Sequence, residues 1–169
     1  MEKVAKFEKV SFEQWAKSIH CEFNLEEARK SYDEIKLPKR ATLGSAGYDF
    51  FLPFDIIVDK NSSTTFPTGI RCNIKDGWVL TCYPRSGHGF KYGVRLANTV
   101  GVIDSDYYYA DNEGHIYAKI LNESSIGPQY FELKKGTAFM QGIFLPYGIT
   151  EDDEVTEQRI GGFGSTDKE

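Results

Sequence analysis

In "GIRCNIKDGWVLTCYPRSG", residues 69–87, apolar and polar side chains alternate in two successive runs. Ile70, Cys72 and Ile74 alternate with Arg71, Asn73 and Lys75, and Trp78, Leu80 and Cys82 share one face of the second run. A repeat of two sends neighbouring side chains to opposite faces of an extended chain, whereas a helix needs a repeat of about 3.6. The "KDGW" between the runs is turn chemistry, so the segment predicts two strands joined by a turn.

Working outward, "HIYAKI" repeats the pattern with Ile116, Ala118 and Ile120, and "LPFD" and "ADNEG" supply further turns. Strands at this spacing suit a sandwich or jelly roll, and the core is expected to be all-β.

The two ends differ from this middle. Ser11–Gln14 and Asn24–Glu27 each fit a capping box, in which the first side chain caps a helix and the fourth returns the bond. Two short helices are expected, at roughly 12–20 and 25–35. Leu37-Pro38 follows, and proline disfavours helical geometry in the residue before it. After Tyr147 the only large apolar residues are Ile149, Val155, Ile160 and Phe163, too few for a core. The expected organisation is a helical extension over 1–36, a β core over 37–148 and a flexible arm over 149–169.

Composition narrows the partners. The 169-residue chain has a formal net charge of -5, which leaves no broad basic surface for collecting nucleic-acid phosphates. Cys21, Cys72 and Cys82 lack metal-ligand spacing and read as thiols of a reducing compartment. The charged N-terminus is unlike a signal peptide, and no stretch reaches the ~20 apolar residues of a membrane span. A soluble cytoplasmic protein without membrane contact is expected.

Several short segments could carry chemistry. "PRSG", Pro84–Gly87, offers an arginine fork, a hydroxyl and approachable backbone N–H groups to an anion, and equally fits a plain β-turn. The tail "GGFGST" suits a lid over a planar ligand, or an unstructured terminus; no Walker-type motif is present. Asp49 in "AGYDFF" and Asp104 in "GVIDSD" follow strand-like or turn residues, where a carboxylate faces a cleft or caps a turn. His88 beside "PRSG" reads as structural or as added charge at that loop.

The order "SAGYDFF", "PRSG", "GVIDSDY", "GTAFMQGIF" and "RIGGFGST" resembles the five motifs of the homotrimeric dUTPase family, over about residues 37–166. The resemblance implies a jelly-roll barrel that hydrolyses dUTP to dUMP and pyrophosphate, limiting uracil in DNA and supplying dUMP for thymidylate synthesis.

It implies roles for particular residues. Asp104 would activate the water that attacks the α-phosphorus. Asn98 would read the uracil edge with the backbone of Val102 and Ile103, and Tyr107 would pack against the deoxyribose and exclude a ribose hydroxyl. Arg85, Ser86, Gly87 and Gln141 would hold the phosphates. Arg159, Gly164 and Ser165 of the arm would close over them while Phe163 stacks on the base. Mg2+ would be carried mainly by the substrate phosphates, with Asp49 at most an outer-sphere partner. The family's sites are shared between subunits, so a homotrimer is implied.

The sequence departs from the commonest pattern at "YYADNEG", which lengthens the hairpin before "HIYAKI", at Arg159, one residue closer to Phe163 than in many relatives, and at "STDKE", where a glycine usually follows the threonine. The first two departures resemble some bacterial and phage members. Two other functions fit less of the pattern: a dCTP deaminase relative, and a trimeric regulatory protein that contacts a partner through residues 1–36.

Overall fold

The structure is a computed structural model and describes residues 2–19, 24–123, 127–157, 159 and 161. Twelve strands dominate them: β1 (Ala5–Lys9), β2 (Lys39–Arg40), β3 (Tyr48–Phe51), β4 (Ile56–Asp59), β5 (Ser62–Pro67), β6 (Ile70–Ile74), β7 (Trp78–Pro84), β8 (Val94–Leu96), β9 (Gly101–Ile103), β10 (Tyr117–Asn122), β11 (Tyr130–Leu133) and β12 (Ala138–Pro146). Three short helices, α1 (Phe12–Ser18), α2 (Leu25–Asp33) and α3 (Ser86–Tyr92), and a 3-10 turn over Ser105–Tyr109 complete it.

The mostly β class expected from the alternation is present. The strands form four open sheets, β1-β6, β5-β10-β8, β11-β4 and β2-β3-β12-β7-β9, instead of one closed barrel. The alternation also sets what is buried: Ile70, Cys72 and Ile74 of β6 and Ile116, Ala118 and Ile120 around β10 are at most 5% exposed. β12 is the long central strand, paired with β3 on one side and β7 on the other. At Gly142 a Cβ would stand 2.8 Å from Leu80 and 3.0 Å from Phe50, so a bare backbone there lets both large side chains fill the core.

The first 36 residues hold a strand besides the two expected helices. They begin with a strand, β1, antiparallel to β6 from Ala5↔Ile74 to Lys9↔Ile70. "AKFEK" hid this because charged side chains surround a single large apolar residue, Phe7, as suits an edge strand. The helices lie close to where the caps put them. Ser11 Oγ accepts from Gln14 N at 3.1 Å, and Asn24 with Glu27 forms a complete capping box. Val10 and Trp15 are fully buried in the common core, and Trp15 Nε1 donates to Ser31 Oγ at 3.0 Å.

Candidate active site

β9 lies against β7 with Cys82↔Gly101, Thr81↔Val102 and Leu80↔Ile103 opposed, which fixes the register of the segment entering Asp104. Beside it opens a cavity of about 500 Å³, a size suited to a small-molecule ligand. Asn98, Gly101, Val102, Ile103, Cys82 and Met140 are among its lining residues. The Asn98 amide reaches over Gly101, where a Cβ would stand 3.6 Å from Nδ2. It adds a donor and an acceptor to a largely apolar wall. Burial pushes the Cys82 thiol up to about 12, so it stays protonated and serves as another apolar surface.

Asp104 is the next residue after Ile103 and precedes the 3-10 turn. Its side chain is half exposed, and Arg159 Nη2 donates to Oδ2 at 3.0 Å. Arg159 Nε also lies 3.3 Å from Asp106 Oδ1, an ion pair without hydrogen-bond geometry, and its guanidinium sits 5.5 Å from the Tyr107 ring centroid. Tyr107 is 4% exposed. Its hydroxyl donates to His115 O at 2.9 Å and accepts from Asn112 Nδ2 at 2.8 Å, and burial raises its pKa. Asp104 and Tyr107 flank the cavity without lining it, whereas Asn112 does line it.

A second cluster forms on the large sheet. Gln141 is opposed by Asp49 in β3 and by Tyr83 in β7. Arg85 Nε stands 3.4 Å from Asp49 Oδ1, and Arg85 Nη1 donates to Ala138 O at 3.5 Å. Gln141 extends over Gly47, where a Cβ would be 2.5 Å from Oε1. Ser86 and Gly87 begin α3 in place of the expected turn; the helix ends at Gly93 in the left-handed conformation, with a φ of +65°. His88 packs edge-on against Phe131 at 5.4 Å, and burial followed by the Arg85 charge lowers its pKa. None of Arg85, Ser86, Gly87 and Gln141 lines the cavity. Phe163, Gly164 and Ser165 lie outside the described residues.

The sequence reading missed Asn112, Glu113 and His115, which it treated as turn and strand entry. A signal was present, because Asn followed by Glu-Gly is turn chemistry that favours positive φ. Glu113 at +59° and Gly114 at +68° adopt it. "YYADNEG" is therefore a 3-10 turn followed by a tight loop rather than a lengthened hairpin.

A mostly β protein with an apolar small-molecule cavity and a separate cluster suited to anions is the class that this geometry defines. The dUTPase family pattern matches residues 33–167. The Lactococcus lactis deoxyuridine 5'-triphosphate nucleotidohydrolase is 39% identical over 135 residues, 78% of this chain and 88% of that protein. The crystal structure of dUTPase from Streptococcus mutans superposes with a TM-score of 0.66 at 32% identity, covering 86% of this chain and 98% of that one. The chain belongs to the dUTPase family. A dUTPase from Staphylococcus aureus phage phi11, described with a structural Mg(II) ion, shares the fold at 17% identity and a TM-score of 0.63, over 92% of this chain and 98% of that one.

Proposed function

We propose that this protein hydrolyses dUTP to dUMP and pyrophosphate, with Asp104 as general base. The observation that carries the reading is the placement of Asp104 directly beyond a strand that walls a nucleoside-sized cavity bearing the Asn98 amide. Asn98 offers uracil both halves of an amide pair. Cytosine presents the opposite pattern and would leave buried groups unpaired at about 1–3 kcal/mol each. Tyr107, held at its hydroxyl from two sides and bonded to the cavity-lining Asn112, gives the sugar end of the cavity a fixed backing.

A half-exposed carboxylate can take a proton from water as the bond to phosphorus forms. Its present partner, Arg159, must first leave Asp104, and the incoming phosphates are the natural competitor for that guanidinium. Substrate entry and release of the base are thereby coupled.

The described residues hold no group of three or more His, Cys, Asp or Glu side chains suited to a metal. Asp49, paired with Arg85 and opposed by Gln141 in β12, offers a carboxylate that suits an Mg2+ brought in by the triphosphate and reached through water. When bound, the ion would neutralise phosphate charge.

The cavity residues and the Arg85 cluster form separate groups on one chain, which supports a homotrimer in which one protomer's cavity meets another's cluster. Mixing Asp104→Asn and Arg85→Ala chains tests this. Either alone is impaired, but if sites are shared, random reassembly restores dUTP hydrolysis in about one quarter of sites, since each half is intact with even odds. No recovery despite verified subunit exchange would refute shared sites.

Free thiols at Cys72 and Cys82 suit a cytoplasmic setting. A regulatory partner of residues 1–36 would meet the outer face of α2, where Glu26, Glu27 and Arg29 are exposed, because Ala28 and Ser31 are buried.

A further inference from the structure

The loop over residues 111–114 is built against the 3-10 turn that carries Tyr107. Gly114 has a φ of +68°, and a Cβ there would stand 2.7 Å from Tyr107 O and 2.8 Å from Tyr108 Cα, so the loop backbone touches the 3-10 turn directly. Asn112 closes the loop on itself by accepting from Gly114 N at 3.2 Å while donating to the Tyr107 hydroxyl at 2.8 Å. Any displacement of the loop therefore moves a cavity-lining side chain and Tyr107 together.

Glu113 is what fixes the loop from outside. It holds a φ of +59° that glycine tolerates far better, and its carboxylate accepts from Ser11 N at 2.7 Å and from Ser11 Oγ at 2.5 Å. Ser11 is the N-cap of α1, so Glu113 takes the position that the fourth residue of a reciprocal capping box would occupy. Burial favours the neutral acid, but the Ser11 hydroxyl and N–H, with Arg71 nearby, hold the Glu113 pKa below the usual value. Arg71 joins the same assembly: its Nη1 lies 3.7 Å from Glu113 Oε2, its guanidinium centre 3.6 Å from the Tyr108 ring centroid, and its Nη2 donates to Tyr108 O at 3.2 Å.

We propose that Glu113, clamped to the N-cap of α1, is a positioning residue for sugar discrimination, making the N-terminal segment part of the specificity apparatus of the cavity. The inference rests on the reading that Tyr107 faces the deoxyribose. Its distinct content is that selectivity depends on a carboxylate that faces the α1 N-cap and stays out of the cavity lining.

The test compares kcat/KM for dUTP and UTP in the full-length wild type, Glu113→Gly and Glu113→Gln, with Tm measured for each. Glu113→Gly keeps the backbone preference and removes only the clamp. It is expected to lower the dUTP-to-UTP ratio about tenfold or more, within the range set by one misplaced contact in a pocket. Glu113→Gln, which can still accept from Ser11 N, should recover most of that ratio. If Glu113→Gly does not fold, Ser11→Gly cuts the hydroxyl bond from the other side while leaving the backbone N–H bond, and should lower the ratio in the same direction by less. A lower Tm with an unchanged ratio, measured well below unfolding, would show a purely structural tie and overturn the proposal. A wild type that ignores dUTP would remove the underlying reading as well, and that arm separates the two failures.

Discussion

The buried residues at the cavity and the charged groups outside its lining are built to different standards. Tyr107 is 4% exposed with its hydroxyl bonded twice, and the cavity-lining Ile103 and Cys82 belong to the core. By contrast the Arg85 side chain is 42% exposed against a single 3.4 Å carboxylate contact, and Asp104 is 50% exposed. Rigid packing is where a base and a sugar are best told apart, because a small displacement there leaves groups unpaired. Charge is felt over longer distances and tolerates mobile partners, so charged groups can be brought together when a ligand arrives.

The largest effect expected from this contrast lies on the loose side. Asp104→Asn should bind dUTP with magnesium and lose at least the ~10²-fold that a positioned base commonly supplies, measured as single-turnover pyrophosphate release. Near-normal turnover would show that the exposed carboxylate plays no part in the chemistry.

The next effect tests the rigid side through pH. Ser18 Oγ lies 3.1 Å from His115 Nδ1, and its own proton goes to Gln14 O at 2.8 Å, so Nδ1 must be the donor of that pair. Nε2 then accepts from Gly69 N at 2.8 Å, and His115 is held neutral. Burial lowers its pKa to about 4 from 6.5, opposed by the Glu113 charge. The unfolded chain thus takes up a proton first as pH falls. The associated stability is complete above about 6.5 and is lost between there and about 4, amounting to order 2 kcal/mol by pH 5. Thermal melts at pH 7.5 and 5 should show the loss in wild type and a smaller one in His115→Gln; equal losses would assign it elsewhere.

The smallest expected effect is at Asp49→Asn, which removes the partner of a half-exposed arginine. An ion pair of that exposure is worth at most about 1 kcal/mol, so KM should rise no more than about fivefold with kcat little changed. A collapse of kcat would mean that the charged groups are as preorganised as the buried residues at the cavity.

The same contrast explains what could be read from the chain. Alternation in β6 and β10 was legible because one face of each strand is buried, and the caps at Ser11 and Asn24 were legible because they are local. β1 was not, since a charged edge strand loses the period that burial imposes. Asp104, Asn98 and Arg85 could be singled out through the resemblance, but the pairing of Arg159 with Asp104 spans 55 residues and has no local signature. Glu113 was hidden for a like reason: its partner Ser11 is 102 residues away, and a charged residue in a turn reads as solvated surface.

Pyrophosphate release from dUTP, dCTP, dTTP and UTP, with and without magnesium, tests the central claim most directly. The account predicts rapid release from dUTP alone, accelerated by magnesium. Equal rates on dUTP and UTP, or an untouched dUTP with magnesium supplied, would contradict it.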